Sequence, residues 1–112
     1  VIARPLKYPR GWPDRCPPGT RPQEKGIDVA LAVDFTAMAL LKRYDVGILF
    51  STDTDMQYAL EFVASKTEAR PEVSAWRGNR SRLEIKDKKL WCHWIRESVY
   101  RQVADPTCYS KA

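Results

Sequence analysis

The apolar run Val46-Gly47-Ile48-Leu49-Phe50 stops abruptly at Ser51-Thr52-Asp53-Thr54-Asp55, and a helical apolar pattern begins directly behind it. Five apolar residues are too few for a helix, so the run is expected to be a short buried strand. Asp53 or Thr54 can cap the helix that follows, in which Met56, Ala59, Leu60 and Val63 recur at helical spacing. Two carboxylates then stand at the carboxyl end of a strand, where open α/β sheets place their ligands. Like charges about 4 Å apart repel by about 4 kcal/mol at an effective dielectric of about 20. A divalent cation would offset that repulsion; a helix cap beside a second, solvated acid is the plainer alternative.

The segments around this strand extend the pattern. Ile27 to Leu41 is apolar nearly all round and reads as a helix packed on several sides, with Asp28 in its first turn. Asp34, six residues on, faces well away from Asp28 on a helical wheel. A helix continuing to about Lys66 follows the strand, and Arg70-Pro71 is expected to break the chain. Glu72–Trp76, Leu83–Ile85 and Leu90–Ile95 read as strands, with a basic turn over residues 77–82 and a short helix before Pro106. At the other end, residues 1–8 fit a short edge strand, limited by Pro5. Residues 9–24 form a Pro- and Arg-rich loop carrying Arg10, Arg15 and Arg21. The alternation of helix and strand predicts an α/β fold with a mostly parallel sheet in one domain spanning 1–112.

A chain of 112 residues with a net charge of +5 favours an acidic partner, nucleic acid first. No apolar run approaches a membrane span. Cys16, Cys92 and Cys108 are odd in number and lack CxxC spacing, which suits reduced thiols in the cytoplasm and argues against a zinc site. His93 is the one histidine and is expected to be packed and hydrogen-bonded. Trp76, Trp91 and Trp94 are expected mostly in the core, with one face free at most to stack a base. Metal-dependent phosphodiester hydrolysis needs oxygen ligands that converge on Mg²⁺ or Mn²⁺. Asp28, Asp53 and Asp55 can supply them, while Ser51, Thr52 and Thr54 can orient water or a phosphate oxygen. A haloacid-dehalogenase phosphatase is a poorer match, because Ser51 and Thr52 separate the strand from its first Asp.

Glu24-Lys25-Gly26-Ile27-Asp28-Val29-Ala30-Leu31-Ala32-Val33-Asp34, followed by the strand and Ser51-Thr52-Asp53-Thr54-Asp55, resembles the NYN domain of the PIN-like nuclease group. Members of that group show an EKGVDVxLAxD helix and then SGDSD or a close variant. Trp76, Leu90-Trp91-Cys92-His93 and Asp105-x-Thr107-x-Tyr109 resemble its bacterial members. The resemblance implies a Rossmann-like, three-layer PIN fold and an endoribonuclease that cleaves RNA with water activated at a Mg²⁺ or Mn²⁺ site. Asp28, Asp53 and Asp55 match the metal-binding and catalytic acids, and Asp34 matches a recurrent acid in the helix. Lys25, Ser51, Thr52 and Thr54 fall at substrate-side positions, with Thr52 in place of the usual Gly. The group also begins with a central strand ending in Asp-Gly-x-Asn, which these residues lack. The chain is therefore expected to be a piece of a longer protein, or to take that strand from another chain, as in a homo-oligomer. Without it, a catalytically inactive RNA-binding or protein-interaction module of the same fold is the alternative; a nonspecific phosphohydrolase is the third.

Overall fold

The computed structural model describes residues 3–79 and 81–108. Val1, Ile2, Arg80 and Tyr109, which figure in the expectations above, lie outside them. The element order is α1 (Ile27–Leu40), β1 (Val46–Phe50), α2 (Gln57–Lys66), β2 (Arg70–Trp76), β3 (Cys92–Ile95) and α3 (Glu97–Val103). The three strands form one all-parallel sheet in the order β1-β2-β3, so this is a mixed α/β structure. No helix among the described residues is long and apolar enough to cross a membrane.

Helix α1 starts at Gly26, whose φ of 90° only glycine adopts freely, and Glu24 Oε1 accepts a 2.7 Å hydrogen bond from the Ile27 N–H. It ends in a Schellman turn. Lys42 sits at φ 54°, the Arg43 N–H bonds Met38 O at 2.9 Å, and the Lys42 N–H bonds Ala39 O at 3.1 Å. The chain then enters β1, where Tyr44 folds back so that its hydroxyl donates to Phe35 O at 2.5 Å.

Leu49, Val73, Ala75 and Cys92 point to one face of the sheet and pack with Phe35 and Ala39 of α1 and with Ala59, Leu60 and Val63 of α2. Leu60, Val63 and Val73 are the largest fully sealed side chains, so the core lies between β2 and α2. The second face carries Val46, Ile48 and Phe50 of β1, Glu72, Ser74 and Trp76 of β2, and His93 of β3. Here α3 makes one edge-on contact, Tyr100 against Trp76 with ring centroids 5.7 Å apart.

Several expectations are corrected. Pro71 does not break the chain; it lies inside β2, opposite Gly47. The Arg70 N–H bonds Asp45 O on the β1 side and the Val73 N–H bonds Trp91 O on the β3 side. By alternation, Pro71's missing N–H would point toward β3 ahead of the first paired residues, Val73 and Cys92, so no ladder bond is lost. Leu83–Ile85 is no strand, only an isolated bridge from Ile85 to Lys88 around Asp87 at φ 65°. Among the described residues of 1–8, pairing is limited to a single bridge between Lys7 and Gln23. Strand β1 alternates exposed and buried instead of being buried throughout, because its second face is uncovered. Only Phe35 and Ala39 of α1 are buried, so that helix is packed on fewer sides than its composition suggests. Trp76, Trp91 and Trp94 are all substantially exposed, not core.

Candidate functional site

Beyond Phe50 the chain turns sharply at the carboxyl end of β1. Ser51 Oγ accepts the Asp53 N–H at 3.0 Å, and Asp53 Oδ1 accepts the Asp55 N–H at 3.0 Å. The second bond caps a single 3₁₀ turn over Thr54–Met56 that leads straight into α2. Met56, sealed in the core, pins this turn from below. The helix-cap role foreseen for Asp53 is therefore realised, and it uses only one of that residue's carboxylate oxygens. Asp53, Asp55, Thr52 and Thr54 are exposed, and Ser51 is half-buried.

Asp55 also borders an apolar cleft of about 340 Å³ between α1 and α2, whose walls include Ala32, Val33, Thr36 and Tyr58. Asp28 is exposed and precedes Ala32 by one helical turn, on the same stripe of α1. Asp34 is half-buried and lies roughly a third of a turn around the helix from Asp28, in line with the wheel. Lys25 is exposed just ahead of Gly26. Asp53 and Asp55 are thus brought together by their own turn. Among the described residues, no group of three or more His, Cys, Asp or Glu side chains could hold a metal ion.

A second polar cluster occupies the amino-terminal end of the sheet, on the face away from α1 and α2. Glu72, only 7% exposed, has Oε2 2.6 Å from His93 Nε2 and Oε1 3.1 Å from Arg70 Nε. Ser74, 3% exposed, donates to His93 O at 2.8 Å. His93 is hydrogen-bonded as its sequence setting suggests but is not packed away, its side chain being 42% exposed, and Glu72 carried no sequence signal beyond its alternation. Its partnership depends on β2 and β3 pairing in the register Ser74 opposite His93, which sequence alone does not specify.

No protein-family model, curated protein or solved structure matches this chain.

Proposed function

We propose that this chain carries part of a Mg²⁺- or Mn²⁺-dependent ribonuclease site of the NYN, PIN-like kind, at the carboxyl end of β1. The observation that supports it is the position of Asp53 and Asp55. Both are exposed carboxylates on a rigid turn at the strand end of a parallel α/β sheet, with the Asp28 stripe of α1 leading to the cleft that Asp55 borders. Oxygen donors of this type suit Mg²⁺, which keeps several waters and commonly takes one or two carboxylates. Asp53 and Asp55 would hold it, with Asp28 the third acid that the resemblance offers. When bound, such an ion lowers the pKa of a coordinated water and offsets charge on a phosphate. Ser51 is spent on orienting Asp53, whereas Thr52 and Thr54 keep exposed hydroxyls for a phosphate oxygen. Lys25 and the arginines of residues 9–24 would position the RNA backbone.

The reading also calls for one more strand along the open side of β1, where Val46, Ile48 and Phe50 stand exposed. A catalytically inactive RNA-binding module is favoured instead by one observation, the lack of a third converging acid among the described residues. Labelled single-stranded RNA incubated with Mn²⁺, Mg²⁺ or EDTA separates the two. Metal-dependent cleavage that Asp53→Asn abolishes is the expected result. Cleavage undiminished by that substitution would place the chemistry elsewhere, and salt-sensitive binding without cleavage would establish the inactive module.

A further inference from the structure

We propose that the cleft at the amino-terminal end of the sheet binds one nucleotide of a single-stranded nucleic acid, with the base stacked on Trp91 and the phosphate held by Arg70 and Lys89. The cleft is about 520 Å³ and is walled by Arg70, Pro71, Glu72, Lys89, Trp91 and His93, a size within the range of small-ligand sites. It is lined from β2, β3 and the segment before β3, at the amino-terminal end of the sheet, whereas Asp53 and Asp55 follow the carboxyl end of β1.

Each wall has a distinct role. Trp91 is 68% exposed although its strand neighbour Cys92 is buried, and it meets His93 edge-on, with centroids 6.4 Å apart at 76°. That contact orients the indole and leaves a face open, as base stacking requires. Arg70 places Nε 3.1 Å from Glu72 Oε1, and its terminal nitrogens have no ion-pair partner among the described residues, which leaves them for a phosphate. Lys89 forms no ion pair among the described residues. Glu72 Oε2 lies 2.6 Å from His93 Nε2, which ties the imidazole in place on the wall of the cleft. A buried carboxylate that immobilises a cation and an imidazole beside an exposed aromatic makes a preorganised surface for an anion attached to a ring.

An acidic peptide would also meet Arg70 and Lys89, but it offers nothing for the indole face. The net charge of +5 extends the attraction to a polyanion. The proposal shares with the ribonuclease reading only the nature of the polymer, and it needs neither metal nor catalysis.

The test is fluorescence anisotropy of labelled oligouridylate and oligothymidylate, in EDTA at low salt, against the whole chain. Trp91→Ala should weaken binding roughly tenfold, the loss expected for one stacked base, and Trp91→Phe should recover most of it. Lys89→Glu should weaken binding and flatten the salt dependence by about one unit of slope. Because the assay runs in EDTA, metal-dependent cleavage does not enter it, so loss of this site is read separately from loss of cleavage. Trp91 and Lys89 are exposed, and circular dichroism checks that both variants stay folded. Equal binding by Trp91→Ala, no binding by the unaltered chain, or displacement by polyglutamate as effective as by oligonucleotide would each overturn the proposal.

Discussion

At Gly47 the absence of a side chain decides how α1 can sit on the sheet. A Cβ at that position would lie 2.7 Å from Phe35 Cε2 and 2.7 Å from Tyr44 Cε2. Both rings are fixed: Phe35 is in the core, and Tyr44 packs against it with centroids 5.7 Å apart while its hydroxyl bonds Phe35 O. The same burial pushes the Tyr44 phenol above its ordinary pKa. Gly47→Ala is therefore expected to force α1 outward and to cost about 1–3 kcal/mol, the usual range for overpacking. Urea unfolding measures it, and an unchanged midpoint would show that the rings yield freely. Nothing in the run Val46–Phe50 announces this requirement, since Tyr44 and Phe35 meet Gly47 only once the helix has folded over the strand. The Asp53 cap is the opposite case. Its bond to the Asp55 N–H spans two residues, so the local sequence was enough to foresee it.

Elements followed the same division between local and distant causes. The positions of α1, β1, α2 and α3 were legible because their apolar spacing and stop signals are contained within each segment. Pro71 misled because whether a proline breaks a strand depends on which neighbour its nitrogen faces, and that is a property of the sheet. Leu83–Ile85 alternates like a strand, yet Leu83 is buried in the core while the Arg82 guanidinium bonds Leu90 O at 2.5 Å, which holds the segment as a loop. The end of α1 offers a quantitative check. Lys42 occupies the left-handed position of the Schellman turn that glycine usually fills. It pairs with Glu68 at 3.1 Å, but both side chains are largely exposed, so that pair adds little. Lys42→Gly is expected to raise stability by roughly 0.5–1 kcal/mol, since relief of the left-handed strain outweighs the added freedom of the unfolded chain. A lower denaturation midpoint would show that the ion pair outweighs the turn.

For the whole molecule, the side of β1 that no strand among the described residues pairs with sets the behaviour. Natural edge strands are usually guarded by charge, proline or a bulge, and Val46-Gly47-Ile48-Leu49-Phe50 has none of these. Its second face exposes Val46 by 39%, Ile48 by 43% and Phe50 by 68%. The sequence did not reveal this: the same five residues would suit a central strand, and the run was expected to be buried. The 112-residue chain is therefore expected to self-associate as its concentration rises, and Ile48→Lys should suppress association, as sedimentation velocity would show. Ile48 lies outside the core, so the variant keeps its thermal stability. A chain that stays monomeric throughout would count against the edge as an interface. Hydrogen exchange then tells which surface joins. Asp45 O accepts the Arg70 N–H on the β2 side, so by alternation the amides of Val46, Ile48 and Phe50 point to the open edge. If a strand adds there, those three amides become protected on association. If only the apolar faces stack, they continue to exchange freely while the side chains alone are covered.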